Sequence, residues 1–537
     1  MRLLLAVLRL TSPVPRTRRK STTHRQENRH DRMELGRGTV CRSPEPASGR
    51  RALRRRRPPM SGTGSTGTAA EVETPYLEAG HLGRGTLVSL SLASFFPAVG
   101  IALVPTLVLT ATGNASAWHA TLLAAVCVVL IGRPIIVFAR RFVATGSLYS
   151  YISEVFGPWA RYLTGAAMVS GFVCGVGGLA MLVGLFVGSF VHGRQADPTD
   201  LSPLEFPTQI VIFALAFLIA SAIAYRGLDS SVLIVVGLAV LSIPLVLFIT
   251  IASVRHTGLQ LATQFDFGQF SLGSTLRGMA IGIAFLVGFE SSAALAAETR
   301  DPRRNVPVAI MAVPVVLGAV YTVATILQVP GLLQARGQLA AGASPPAALA
   351  AQAGLGTTVG AATDLVLAAA CFSSLIAFVN YGTRFALAMA EDGLLPAFLT
   401  RIHPKFHSPH VAIVSLAVAC FTFISAAVFL VGDVASAYNA LTTLLVYIWA
   451  LPYVLIAAGA IVLTRRTGEL RPGLWISAVL GGAAMAWTYA NGWINPPAAP
   501  ADSMAWIAVV AVVVVLALIA LSSVRRGGAR QPAAAED

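Results

Sequence analysis

Residues 288–310, GFESSAALAAETRDPRRNVPVAI, decide how the chain folds. A Gly-Phe-Glu triplet stands at the end of a long apolar run, and a basic segment bounded by prolines follows it. Burying the carboxylate of Glu290 in lipid costs several kcal/mol unless a partner compensates, so an ionisable residue inside a membrane span is a candidate functional residue. The stretch therefore predicts a membrane span that carries a functional carboxylate.

The composition of the whole chain agrees with a membrane location. The chain has 537 residues, of which 55% are hydrophobic and 12% charged, and its mean hydropathy is +0.71. Soluble domains carry about 25% charged residues. Apolar windows of about 20 residues, repeated along the chain, are what α-helices need to cross the bilayer. We therefore predict an all-α polytopic membrane protein embedded in a lipid bilayer.

Most of the net charge of +15 lies at the N-terminus, where residues 1–59 hold 17 Lys+Arg and 4 Asp+Glu. This segment is rich in Arg and Pro and has no apolar period, so we predict that residues 1–79 form a disordered, basic cytoplasmic tail. A solvated tail is favoured over one that binds nucleic acid or anionic lipid. The stretch from Met60 resembles an ordinary short leader, so an over-extended start is a second interpretation of residues 1–59.

Twelve apolar spans can be drawn along the rest of the chain. They lie near residues 86–109, 118–139, 158–190, 206–225, 230–253, 274–297, 306–328, 362–389, 410–431, 435–463, 473–490 and 504–523. With a cytoplasmic N-terminus, the loops and tail on that side hold 14 Lys+Arg and those on the other side hold three. The positive-inside rule therefore predicts a membrane domain over 80–525 with both termini, including the short tail 526–537, in the cytoplasm.

Two spans carry helix-breaking residues in their interior. The first reads SLASFFPAVGIALVPTLVL, with Pro97 and Gly100 near its middle, and the sixth has Gly288 ahead of a polar Glu-Ser-Ser run. Pro removes a helix hydrogen bond and Gly weakens a helix, so both are predicted break points. Gly100 lies about 15 Å of helix from the outer end of its span, and Glu290 lies about the same distance from the inner end of its span. Mirrored breaks are typical of inverted-repeat transporters, although Pro and Gly are common in membrane helices in any case.

Three ordered segments resemble amino-acid permeases of the amino acid–polyamine–organocation (APC) superfamily. Residues 288–310 match its segment from span 6 to span 7, with GFE, a small polar pair and a proline-bounded basic patch. Residues 137–157, VFARRFVATGSLYSYISEVFG, match the junction of spans 2 and 3. Residues 372–413, FSSLIAFVNYGTRFALAMAEDGLLPAFLTRIHPKFHSPHVAI, match the junction of spans 8 and 9. With the hydropathy, the resemblance covers about residues 80–525.

The resemblance implies a five-plus-five inverted repeat of the LeuT type. Its repeats would lie over about 86–253 and 274–463, with spans 11 and 12 at the periphery. It implies broken helices 1 and 6 that bind the substrate at their breaks, and spans 3 and 8 as the opposing wall. The chain departs from the family in its first break, PAVGI, which has one glycine, and in Arg133 inside span 2. The first departure leaves the carboxylate contacts of the substrate open.

An amino acid bound at such breaks must exchange water for compact donors and acceptors. Backbone N–H groups at the start of a half-helix suit its carboxylate, and the carbonyl ends of half-helices suit its ammonium group. The residues predicted to bind substrate are Ala98, Val99, Gly100 and Ile101 in span 1 and Phe285, Gly288 and Phe289 in span 6. For the two phenylalanines, packing against lipid or core is the alternative.

Glu290 and a pair of serines are the candidates for coupling. The dipole of the following half-helix favours the charge of Glu290 and burial opposes it, so we predict a gating residue and candidate proton site, with a helix N-cap as the alternative. The resemblance also points to gating. In Na⁺-coupled relatives of the fold, a hydroxyl pair on span 8 holds the ion, which makes Ser373 and Ser374 a candidate ion site; helix packing is the alternative. The coupling ion is thus Na⁺ or H⁺, and no other cofactor is predicted.

The predicted function is secondary active transport of an amino acid or related amine across the plasma membrane by alternating access. A carrier of another organic cation or amine, or a non-transporting sensor of the same fold, is the alternative. A major facilitator is disfavoured because the loop joining spans 6 and 7 is only TRDPRRNVP. An enzyme is disfavoured because no HExxH or clustered Ser/His/Asp set is present, and the five scattered cysteines indicate neither disulfides nor a metal site. The sequence does not predict an oligomeric state.

Overall fold

The structure is a computed structural model that describes residues 77–192, 205–266, 268, 270–469 and 471–528. The predicted disordered tail lies outside the described residues apart from 77–79, and so does the last part of the predicted C-terminal tail, 529–537. The described residues form helices, turns and one isolated bridge, with no strand among them. The prediction of an all-α protein is therefore confirmed.

Eighteen α-helices follow one another along the described residues. They are α1 Arg84–Ser94, α2 Pro97–Thr112, α3 Trp118–Arg141, α4 Leu148–Phe156, α5 Pro158–His192, α6 Phe206–Tyr225, α7 Leu228–Thr257, α8 Leu261–Gln264, α9 Leu272–Ala284, α10 Pro302–Ala312, α11 Gly318–Gln334, α12 Arg336–Ala340, α13 Pro345–Gln352, α14 Thr357–Glu391, α15 His410–Val431, α16 Val434–Arg466, α17 Pro472–Ile494 and α18 Met504–Gly528. Short 3₁₀ helices cover Phe289–Glu298, Ala397–Thr400 and Ala501–Ser503, and one π-helical turn covers Val313–Leu317.

Eleven helical segments in the described ranges are long and apolar enough to cross a membrane. They include Arg84–Thr112 and Leu272–Glu298, in each of which the α-helix is interrupted. The predicted span 473–490 corresponds to α17, which has 23 residues but is not among the eleven. The multi-pass membrane architecture is thus confirmed, whereas the count of twelve spans and the five-plus-five repeat stay predictions.

The first interruption lies between α1 and α2. Phe95 and Phe96 leave the helical path, and Phe96 takes the left-handed conformation at φ +35°. That conformation is costly for a bulky side chain and is usually retained at functional sites. Pro97 then begins α2, a position at which its missing N–H costs no helix hydrogen bond. The interruption therefore falls one residue ahead of Pro97.

The second interruption lies in the opening GFE stretch. Helix α9 ends at Ala284, residues 285–288 form turns, and Gly288 takes a left-handed conformation at φ +84°. A glycine adopts this conformation without a Cβ penalty. The chain continues as the 3₁₀ helix Phe289–Glu298, so the second half of this segment is wound more tightly than an α-helix.

The long helix α5 lies at the centre of the packing. It packs against α14, α16 and α18, and α14 packs in turn against α7. In contrast, α6, α15 and α18 leave much of their apolar surface exposed; Leu218 and Leu430 are two examples. In a multi-pass membrane protein such faces meet lipid rather than water. The interior around α5 and α14 is therefore where a membrane-buried site can form.

One end of the molecule is closed by polar contacts, and we call it the N-side because the described chain begins there. The N–H of Leu82 donates to the carbonyl of Glu298 at 3.0 Å, and the N–H of Arg300 donates to the carbonyl of Leu82 at 2.9 Å. The Glu298 carboxylate also pairs with the buried guanidinium of Arg384 in α14. The segment before α1 is thus tied to the end of the 3₁₀ helix and to α14.

Candidate substrate site

A cavity of about 710 Å³ lies in the interior, beyond the contacts that close the N-side. Both helix interruptions line it: Phe95 and Phe96 contribute from the first, and Phe285 and Gly288 from the second. The cavity extends to exposed residues at the opposite end of the molecule, of which Arg277 is one. Its volume is in the range of small-molecule sites. The two unusual backbone segments therefore meet at one cavity, which opens toward the end of the molecule opposite the N-side.

Aromatic rings form much of the cavity wall. Phe96 lies edge-on to Phe285, with ring centroids 6.2 Å apart, and Phe95 lies edge-on to Phe378 of α14 at 5.5 Å. Edge-to-face pairs of this kind stabilise each other beyond simple burial. They hold the two interruptions and α14 in a defined arrangement around the cavity.

Three glycines of α5 form part of the cavity wall. Gly171, Gly175 and Gly178 line the cavity from this helix. A Cβ at Gly171 would overlap the indole ring of Trp449, so this glycine allows α16 to approach α5 closely. The wall therefore leaves space in the cavity and lets the Trp449 ring form part of its lining.

Glu290 lies behind the cavity rather than in it. Its side chain is fully buried, and the Trp449 Nε1 donates to Oε1 at 2.8 Å while the Tyr453 hydroxyl donates to Oε2 at 2.7 Å. The same hydroxyl accepts the N–H of Gly288 at 2.8 Å. Glu290 thus joins the second interruption to α16 through two side chains, which suits a structural and gating residue better than a direct substrate ligand.

The span 1 residues predicted to bind substrate lie next to the interruption, not in it. Ala98, Val99, Gly100 and Ile101 form the first turns of α2, and none of them lines the cavity. The N–H groups of Val99 and Gly100 both donate to the Phe96 carbonyl, so they are already used in the helix. A Cβ at Gly100 would overlap the ring of Tyr321, whose hydroxyl donates to the Phe95 carbonyl at 3.1 Å. Gly100 therefore provides space for Tyr321.

The other predicted residues fall into two groups, those that line the cavity and those that are buried elsewhere. Phe285 and Gly288 line the cavity, whereas Phe289 is fully buried beside Tyr453, with ring centroids 5.9 Å apart. Both serines are buried in α14: the Ser373 hydroxyl donates to the Val235 carbonyl of α7 at 3.1 Å, and the Ser374 hydroxyl donates to a carbonyl of its own helix at 3.3 Å. Ser373 thus lies at the contact between α14 and α7, whereas the Ser374 hydroxyl bonds within α14.

Several residues of the site and of the contacts around it were not predicted from the sequence. Trp449 and Tyr453 lie four residues apart on α16, which places them on one face of that helix. The spacing is visible in the sequence, but only the fold shows that this face meets Glu290. Arg384 and Glu298 were missed as a pair because 86 residues separate them.

Comparison with known proteins supplies the family. The amino acid permease family matches residues 82–519, which covers both interruptions and every helix that lines the cavity. The chain belongs to this family. The resemblance to APC permeases drawn from three motifs is thereby confirmed, as is the assignment to a family of membrane transporters rather than of enzymes.

Individual relatives are distant. An uncharacterised transporter of Mycobacterium tuberculosis is 26% identical over 276 residues, covering 50% of this chain and 57% of the relative. The branched-chain amino acid permease BcaP of Bacillus subtilis is 24% identical over 291 residues, covering 51% and 60%. The vacuolar cationic amino acid transporter 4 of Arabidopsis thaliana is 24% identical over 284 residues, covering 50% and 46%. The chain thus spans about half the length of the curated relatives it matches.

Proposed function

We propose that this permease is a secondary active transporter that moves an electroneutral amino acid or a related amine across the plasma membrane by alternating access. The observation that carries the proposal is that the two helix interruptions line one cavity. Midplane sites built from interrupted helices are the typical substrate sites of inverted-repeat transporters. Cytoplasmic termini are part of the proposal.

The helix ends at the interruptions carry partial charges that suit the two charged groups of a zwitterion. Helices α1 and α9 end at Ser94 and Ala284, directly before the segments that line the cavity. The C-terminal ends of helices carry partial negative charge, which favours the ammonium group. Helix α2 begins at Pro97, immediately after Phe96, and its N-terminal end carries the partial positive charge that favours the carboxylate.

The closed N-side supports alternating access. Contacts of Leu82, Glu298 and Arg384 separate the cavity from that end, while the cavity extends to Arg277 and Asn439, exposed at the other end. An opposite state requires the Leu82 contacts to separate and the other end to close. Glu290 joins the second interruption to α16, so a movement of these two segments relative to each other changes its hydrogen bonds.

Transport requires a driving gradient, and Na⁺ and H⁺ are the candidates. The hydroxyl hydrogens of Ser373 and Ser374 are held by carbonyls, which leaves oxygen lone pairs for a hard cation. Glu290 is the candidate proton site. We propose the serine pair as the site to test for Na⁺ and Glu290 as the site to test for H⁺.

Uptake into proteoliposomes tests the proposal. The full chain should accumulate at least one labelled amino acid from a panel, measured with and without Na⁺ and pH gradients. Gly288→Ala should lower uptake strongly, because φ +84° is unfavourable for alanine. Gly258→Ala is the matched control, since Gly258 has φ +72° outside the cavity with no atom within 4 Å of an added Cβ. Binding of an amino acid without uptake would favour the sensor. The absence of both binding and uptake would overturn the proposal.

A further inference from the structure

The charge of the cavity wall is one-sided. Among the described residues that line the cavity, Arg277 is the one charged side chain, and no carboxylate is among them. Glu290 does not line the cavity, and both of its carboxylate oxygens accept hydrogen bonds from α16. A cationic side chain entering this space would lose water without gaining an acidic partner, and it would be repelled by Arg277.

The shape and polarity of the inner wall point to an apolar occupant. The rings of Phe96, Phe285, Phe378 and Trp449 all line the cavity. Glycines of α5 line it as well and occupy no side-chain volume there, next to apolar side chains of the same helix such as Leu179. Apolar side chains gain free energy in proportion to the apolar area they remove from water, so a large ring or branched chain gains most here.

We propose that the permease selects amino acids with a large apolar side chain, aromatic or branched, and that Gly175 and Gly178 set the size limit of this subsite. The proposal rests on the proposed transport function and adds the substrate class to it. The polar groups at the outer end of the cavity, such as Asn439 and Thr443, lie on the entry path. The subsite itself is lined by the α5 glycines and the aromatic rings.

Gly175 and Gly178 can be enlarged without disturbing the packing of helices. A Cβ at Gly175 would lie 3.8 Å from the nearest atom of Leu445, and one at Gly178 would lie 3.7 Å from the nearest atom of Tyr438. Both are ordinary van der Waals distances. Alanine also favours a helix more than glycine does. A methyl group at either position therefore reduces the cavity and leaves the fold intact, unlike one at Gly171, which would overlap Trp449.

Competition for uptake tests the substrate class. Unlabelled phenylalanine, tryptophan, leucine, alanine and lysine compete with a labelled substrate of the full chain in proteoliposomes. The three large apolar amino acids should compete at least about tenfold better than alanine and lysine, as expected when one or more methylene groups are recognised. If lysine or alanine competes as well as leucine, the proposal is wrong while the transport function stands. If no amino acid binds or is taken up, both are wrong.

The two glycines are tested by variants with a matched control. Gly175→Ala and Gly178→Ala should each weaken competition by tryptophan and phenylalanine about fivefold or more, while competition by alanine changes less than about twofold. Gly237→Ala is the control, because Gly237 lies on the exposed surface of α7 with no atom within 4 Å of an added Cβ. The Gly237→Ala variant should change competition neither by the large amino acids nor by alanine. Equal effects on large and small amino acids at Gly175 and Gly178 would show that these glycines do not set the size limit.

Discussion

The indole N–H of Trp449 donates a hydrogen bond of 2.8 Å to Oε1 of Glu290. One face of the tryptophan lines the cavity, and its polar edge holds the carboxylate behind it. The ring also lies edge-on to Phe172 of α5, with centroids 5.5 Å apart. A substrate that displaces the ring therefore acts on Glu290, and through it on the second helix interruption.

Glu290→Gln should lower transport at least about tenfold, with the protein still folded. Two donors meet the carboxylate, and the amide of glutamine replaces one acceptor with a donor, so one buried hydrogen bond to a charged group is lost. Uptake rates and their pH profile measure the effect. Glu154→Gln, at an exposed glutamate of α4, is the control and should transport normally. Normal uptake by Glu290→Gln with an unchanged pH profile would contradict the gating role.

Arg384→Met should destabilise the folded protein by about 3–5 kcal/mol, because it leaves the buried Glu298 carboxylate without its ion pair. The double variant Arg384→Met/Glu298→Met should recover most of this loss, since no buried charge remains. Thermal unfolding in detergent measures both. The control is Arg471→Met, which removes the ion pair between Arg471 and Glu469. The Arg471 side chain is 56% exposed, so this substitution should have little effect on stability. A double variant no more stable than the single would contradict the expectation.

Ser373→Ala combined with Ser374→Ala should abolish any stimulation of uptake by Na⁺, if the hydroxyl pair binds the ion. Uptake at fixed pH with Na⁺ replaced by choline measures it. Ser242→Ala is matched, because this buried serine of α7 also donates to a carbonyl of its own helix. Na⁺ stimulation that persists in the double variant would assign the serines to packing alone.

The twelve-span topology predicts that a reporter placed after Thr467 and one placed after Asp537 both lie in the cytoplasm. Thr467 follows α16, and α17 and α18 then separate the two sites. Two crossings return the chain to the side from which it left. If α17 does not cross the membrane, the reporters will lie on opposite sides. The comparison therefore tests α17 directly, independently of the overall orientation.

The sequence predicted the helices well because hydropathy is a local property. The sequence predicted breaks near Pro97 and Gly288, and the α-helix is interrupted at Phe95–Phe96 and at residues 285–288. The contacts at the first interruption could not be predicted, because Pro97 ends the irregular segment rather than lying inside it. Gly100 was predicted to lie at a helix break and to bind substrate, whereas the structure places it against the ring of Tyr321. Only the tertiary neighbour distinguishes these two roles of glycine.

The partners of Glu290 could not be predicted for a related reason. A buried carboxylate in the sequence indicates that hydrogen-bond donors must exist, but many polar side chains along the chain can supply them. The choice of Trp449 and Tyr453 depends on how α16 lies against the second interruption. Long-range contacts of this kind decide the site, and hydropathy carries no information on them.

The backbone bridge between Leu82 and Thr299 makes opening of the N-side measurable by hydrogen–deuterium exchange. The amides of Leu82 and Arg300 are both held in this bridge, and neither can exchange its hydrogen for deuterium until the strand-like pair separates. Their exchange rates therefore report how readily the N-side opens, without any label on the protein. A bound substrate that favours either orientation will appear as slower or faster deuterium uptake at these two amides.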